Sequence, residues 1–222
     1  MKKYFAMIAM MLPMAVMAQE EKDTTVAITQ VERQIMIAAE LSKYGYLYDD
    51  ALSLVQAARL SKEANFICED CAKVAKEKLH VSSTSTSEKK GQVSLDPTKL
   101  LTDAKSLAGN DGVLLALIDD VNRNVRGAVG GAIYSKSQVE AHDYDIYDIT
   151  FKAGKFASVI VVGDGDTDLD VYVYDNNGNL IAKSTDYSDT CICTWTPRWT
   201  GSFHIKIINR GDVFNRYIFS TN

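Results

Sequence analysis

The sequence predicts an α+β protein in two segregated parts: an N-terminal helical hairpin or bundle, then a C-terminal antiparallel β-sandwich. Three observations predict it. Apolar residues recur at helical spacing as far as Val125, beginning with Ile28, Val31, Ile35, Ala38 and Leu41. From about Val139 the period falls to two, as where Phe203, Ile205 and Ile207 alternate with His204 and Lys206. Between the two regimes lies RGAVGGA, residues 126–132, whose glycines mark a boundary.

The elements follow in order. MKKYFAMIAMMLPMAVMAQ has a basic start at Lys2 and Lys3, an apolar run from Tyr4 to Met17, and small Ala18. It reads as a secretory signal peptide over residues 1–18. Its apolar run falls short of the roughly 20 residues a membrane span needs, and no later segment approaches that length. The protein is therefore expected to be exported, periplasmic or extracellular, with no membrane span after cleavage. Residues 19–80 read as a helical hairpin, with Gly45 as a stop and Asp49 as the next N-cap. Tyr44, Tyr46 and Tyr48 cluster at its bend and read as core-rim packing. SSTSTSEKKGQ places a polar linker over residues 81–95. Asp96-Pro97 then caps the first of two further helices, which occupy residues 96–126 and are separated at Gly109. A Gly-rich linker over 127–138 leads to the sandwich, residues 139–222, read as seven short strands between turns.

The formal net charge is −5, and −7 once Lys2 and Lys3 are gone. An acidic chain without a basic stripe argues against nucleic acid and fits an exported protein or one that takes up cations. Four cysteines form two tight pairs, Cys68 with Cys71 and Cys191 with Cys193. Export permits disulfides, and four cysteines allow three connectivities. A bridge between residues two apart is strained. Disulfides or free thiols rank above a zinc site or a redox motif, because Cys68 and Cys71 lie in a charged tract read as helical.

The segment GDGDTDLDVYVYDNNGN carries Asp164, Asp166, Asp168 and Asp170 at alternate positions. Clustered carboxylates with loop carbonyls make a candidate calcium site, although the glycine and closing glutamate of an EF-hand are missing. The alternative is a tight, solvated turn. On the following strand Asp170, Tyr172 and Tyr174 share one face, which suits stacking and hydrogen bonding to a polymer. Trp195, Arg198 and Trp199 gather around Pro197. They read either as a ligand platform or as core and turn packing. His80, His142 and His204 are isolated, and no P-loop, dinucleotide fingerprint or nucleophile motif is present, so no enzyme is expected.

VEAHDYDIYDITF, GDGDTDLDVYVYDNNGNLIAKSTD and TWTPRWTGSFHIKIINRG together resemble the bacterial pre-peptidase C-terminal domain, over about residues 139–222. The resemblance implies a jelly-roll-like sandwich of exported proteins, with relatives in clostridial collagenases that bind collagen and calcium. It adds acids such as Asp143 and Asp145 to the calcium set, although GGAIYSKSQ, before the first strand, has no carboxylate. The segment AAELSKYGYLYDDALSLVQAARL is similar to one tetratricopeptide-type hairpin, read as packing because stacked repeats need about three units. The resulting expectation is a non-enzymatic recognition or adhesion module for an extracellular or envelope polymer or protein. The alternative is a structural accessory of an envelope or secretion complex whose helices dock a partner. The oligomeric state is left open.

Overall fold

A computed structural model of the chain describes residues 28–64, 67–68, 73–75, 91–123 and 133–222. The signal segment 1–18, Cys71, residues 81–90 of the polar linker and residues 127–132 of the Gly-rich tract lie outside the described residues.

Helix α1, Gln30–Leu47, opens on a capping box. Thr29 Oγ1 accepts from the Glu32 amide at 3.2 Å, and a Glu32 carboxylate oxygen accepts from the Thr29 amide at 2.6 Å. Gly45 does not stop this helix. It sits inside it, where α2 crosses: a Cβ there would fall 2.5 Å from Leu54 Cδ2. Asp49 turns the bend at φ 52°, and Asp50 caps α2, Ala51–Glu63. Tyr44 and Tyr48 pair at 4.6 Å on the surface, while Tyr46 donates to Asp103 Oδ2 at 2.7 Å. Helix α3, Pro97–Ala108, carries the expected Asp96 cap, Pro97 first turn and Gly109 close, and α4 runs Gly112–Arg123. The hairpin meets α3 and α4 through Leu54, Val55, Ala58, Leu100, Ala104, Ile118 and Val121.

The tract read as helical up to residue 80 instead supplies two short strands, β1 at Ile67–Cys68 and β2 at Lys73–Ala75. Tertiary pairing overrides helical spacing here, since each completes a sheet edge. The expected linker 127–138 likewise yields β3, Ile133–Val139. The remaining strands are β4 Tyr144–Phe151, β5 Ala157–Val162, β6 Leu169–Asp175, β7 Leu180–Ser184, β8 Thr190–Trp195, β9 Gly201–Asn209 and β10 Asn215–Thr221. They form two sheets, ordered β1-β3-β10-β5-β8 and β2-β4-β9-β6-β7. All pairings are antiparallel except β1 with β3. With β1 and β2 set aside, this is the strand order of a jelly roll, in agreement with the expected fold class.

Besides the helical core, two cores hold the sandwich together and join it to the helices. Between the sheets, Tyr147, Phe151, Val159, Val161, Val171, Phe203, Ile205, Tyr217 and Phe219 are buried, with Tyr147 stacked on Phe219 at 4.4 Å. The second core lies on the outside of the first sheet. Ile35, Ala38 and Ala39 of α1, with Leu95, pack on Tyr134, Ile160, Val162 and Ile218. Strand β5 is therefore buried at every residue. The outer face of the second sheet differs: Tyr172, Tyr174, Ser202, His204 and Lys206 are half-buried, and Asp148 and Thr150 are exposed.

Candidate functional site

The acidic loop between β5 and β6 is a seat for the helical half. The Asp189 carboxylate, on the loop before β8, organises it. Its Oδ2 accepts from the Gly165 amide at 2.5 Å, and its Oδ1 accepts from Lys43 Nζ of α1 at 2.9 Å. Lys43 also reaches Glu40 Oε1 at 3.0 Å. Burial pulls the Lys43 pKa down, but Asp189 and Glu40 outweigh burial and raise it. Asp166 Oδ1 accepts from the Gly91 amide at 2.7 Å, and Asp164 Oδ2 accepts from the Arg216 amide at 2.8 Å. Gly91 runs so close to the loop that a Cβ would stand 2.0 Å from the Asp164 carbonyl oxygen. Exchanging Lys43 for Met should cost about 3 kcal/mol, because it leaves the Asp189 charge buried without its cation. Urea denaturation measures the loss, and a change under about 1 kcal/mol would show the pair to be idle.

The calcium set does not come together around this loop. Asp145 is buried in the inter-sheet core, where Tyr217 donates to its Oδ2 at 2.5 Å and the Tyr147 and Tyr217 hydroxyls lie 2.7 Å apart. Asp143 Oδ1 accepts from the amide of Tyr144. Burial, then the neighbouring Asp170, pushes the Asp168 carboxyl up. Asp170 itself pairs with Arg210 Nε at 2.6 Å. Among the described residues no three Asp, Glu, His or Cys side chains converge as a metal cage. Within the set, Asp164, Asp166 and Asp143 each give one oxygen to a backbone amide, Asp145 gives one to Tyr217, and Asp170 gives one to Arg210.

Cys191 and Cys193 are free thiols, not a bridged pair, and both point into the inter-sheet core. Cys191 Sγ lies 2.9 Å from the Leu169 carbonyl oxygen. Burial pushes both thiols up to about 12, which leaves them inert as nucleophiles. Cys68 contributes its backbone to β1, and its side chain, like Cys71, lies outside the described residues.

The expected binding residues divide between two places. Tyr172 and Tyr174 stack on the outer face of the second sheet, centroids 6.2 Å apart and 13° from parallel. Across the register stand Lys206 and His204 of β9, and Lys183 of β7 lies opposite Tyr172. Lys206 Nζ sits 3.7 Å above the Tyr144 ring. On the same face Asp148 Oδ1 accepts from Ser202 Oγ and lies 3.5 Å from His204 Nδ1. These are the residue types of a hydrolytic triad in the wrong order, since the hydroxyl is bonded to the carboxylate and not to the imidazole.

Trp195, Arg198 and Trp199 lie at the far end of β6 from the acidic loop. There they line a cleft of about 370 Å³ with Asp175, Asn179, Leu180, Ile181, Thr196, Pro197 and Phe203. Trp199, 41% exposed, stacks over Phe203 at 5.8 Å and 17°. Trp195 meets Phe151 edge-on at 4.7 Å. Asp175 is spent on shaping the wall. Its Oδ1 accepts from the amides of Asn177 and Asn179, its Oδ2 accepts from Asn179 Nδ2, and the Asn179 side-chain bond leads the lowering of its pKa. DNNGN reverses the chain between β6 and β7. Only the fold shows that this turn stands against the Trp195–Trp199 loop.

No family model and no curated protein matches the chain. Several solved structures are similar to part of it. The pre-peptidase C-terminal domain of a collagenase from Bacillus anthracis is 12% identical, covers 42% of this chain and 91% of its own, and gives a TM-score of 0.37. A periplasmic inhibitor of g-type lysozyme from Aeromonas hydrophila is 15% identical over 44% of this chain and 93% of its own, with a TM-score of 0.32. The carbohydrate-binding module TmCBM61, solved with β-1,4-galactotriose, is 13% identical over 39% and 68%, with a TM-score of 0.26. At these values none assigns a role to a residue of this chain. The pre-peptidase resemblance stands as a likeness over part of its length.

Proposed function

We propose that this protein is an exported, non-enzymatic recognition module that holds a polymer along the outer face of the sheet β2-β4-β9-β6-β7. One observation carries the reading. The helical half occupies the outer face of the other sheet, while the face with the stacked Tyr172 and Tyr174 stays half-open. Stacked rings offer apolar area at little entropic cost, and Lys183, His204 and Lys206 beside them supply hydrogen bonds and charge. The apolar stripe of α1 is consumed by the sandwich, which favours one compact unit over a helical half built to dock a partner. The inert thiols and the misordered Ser202, Asp148 and His204 support a role without catalysis.

The test is retention in native gels cast with acidic polysaccharide, neutral polysaccharide or gelatin. Tyr172→Ala with Tyr174→Ala is expected to weaken retention about tenfold, the value of one or two lost stacking contacts. The melting temperature should hold, because both rings face outward. Unchanged retention of the double variant in every gel would remove the reading.

A further inference from the structure

We propose that the cleft at the end of the sandwich binds a pyranose ring bearing a carboxylate, one residue of an acidic polysaccharide. The proposal rests on the recognition reading and names the class of its polymer.

The floor of the cleft is a flat apolar platform, Trp199 over Phe203, flanked by Leu180 and Ile181. Such a platform accepts the flat CH face of a ring. Arg198 lines the same cleft, is exposed, and makes no hydrogen bond or ion pair among the described residues. By contrast Arg59 is paired with Glu63 and Arg210 with Asp170. The acid nearest in the wall, Asp175, has its oxygens taken by three N–H groups of Asn177 and Asn179, so it supplies Arg198 with no partner. The cleft thus presents a guanidinium whose donors are open to a ligand. A guanidinium is matched to a carboxylate by its paired donors.

The cleft's shape and position narrow the ligand further. About 370 Å³ suits a compact ring better than a long chain, and the cleft is open on one side. A ring with hydroxyl groups can keep that side in water, whereas a wholly apolar ligand cannot. The cleft also continues the tyrosine face. Tyr174 pairs in register with Leu180 and directly precedes Asp175, and both of those residues line the cleft. A polymer lying over Tyr172 and Tyr174 passes Lys183 and Lys206 and arrives at Arg198, while of the acids on this face Asp170 is paired with Arg210 and Asp148 lies against Ser202 and His204.

The molecule carries its own probe. Trp195 and Trp199 are its two tryptophans, and both line the cleft, so indole fluorescence reports on this site. Titration of the full chain with trigalacturonate should give a saturable fluorescence change. The methyl-esterified trimer should bind at least about tenfold more weakly, since it keeps the rings and loses the charge. Added salt should weaken the acid form and spare the ester. Arg198→Gln, an exposed change, should erase the preference for the acid, and Trp199→Ala should abolish the response. No fluorescence change at millimolar trigalacturonate overturns the proposal, as does equal affinity for acid and ester, or an Arg198→Gln protein that still prefers the acid. A silent cleft in a protein whose gel retention still depends on Tyr172 and Tyr174 removes this site and leaves the recognition reading standing.

Discussion

Raising the pH through 9 is expected to destabilise this protein steeply, through Cys191 and Cys193. In an unfolded chain each thiol ionises near its ordinary value of 9.0, while the folded core holds both protonated up to about 12. Below pH 9 both states keep their protons, and the pair contributes no slope. Between 9 and 12 the unfolded state has released protons that the folded state retains, so stability falls as pH rises. The loss approaches about 1.4 kcal/mol per thiol for each pH unit, or roughly 2.7 for the pair, against a total stability of only about 5–15. Tyr217, pushed up by burial and by Tyr147 and Asp145, adds to the decline above pH 10. Urea midpoints between pH 8 and 11 measure the effect. The double change Cys191→Ala and Cys193→Ala should start lower at neutral pH and decline more gently. If the parent protein falls no faster than this variant, the thiols are not the cause.

The second large effect is expected on cutting the chain to residues 139–222. That fragment loses β3, whose register with β10 runs from Val139 to Ser135, and it strips the cover from Ile160, Val162 and Ile218. Exposing three such side chains costs about 1.5–3 kcal/mol each, which is comparable to the whole stability of a domain. The fragment should show no cooperative thermal transition, and a sharp one would prove the sandwich self-sufficient.

The legible parts of this fold were those governed by local rules. Strands β4 and β7 are of this kind, because alternation and turn residues fix their ends. The Asp96-Pro97 start and Gly109 close of α3 are equally local. The run ASVIVV of β5 is strand-like, and its unbroken apolar character also signals cover on both faces. Strand β3 was hidden because its serines share the inward face with Val139, while Tyr134 faces the helices. The surroundings of the acidic loop were illegible for a different reason. Its partners, Gly91, Asp189, Asn215 and Arg216, are distant in sequence, and no spacing within GDGDTDLD encodes them. At the cleft, Trp195, Arg198 and Trp199 were legible as a cluster. The opposing wall from Asp175 to Ile181 was not, because only the pairing of β6 with β7 places it there.

The two short strands between α2 and α3 bear on how the chain reaches this structure. Ile67 pairs with Ile133 and Lys73 with Tyr147, so one edge of each sheet closes only after a long loop has been gathered. Loop-closure entropy opposes such pairings, and contacts this far apart in sequence slow folding. A two-residue and a three-residue strand repay little of that entropy. The edge they form is therefore expected to zip late and to open early, which hydrogen exchange of the β1 and β2 amides would check. It lies across the sheets from β7 and β8, which border the cleft. Local opening can thus proceed on one flank of the sandwich while the opposite flank keeps its shape.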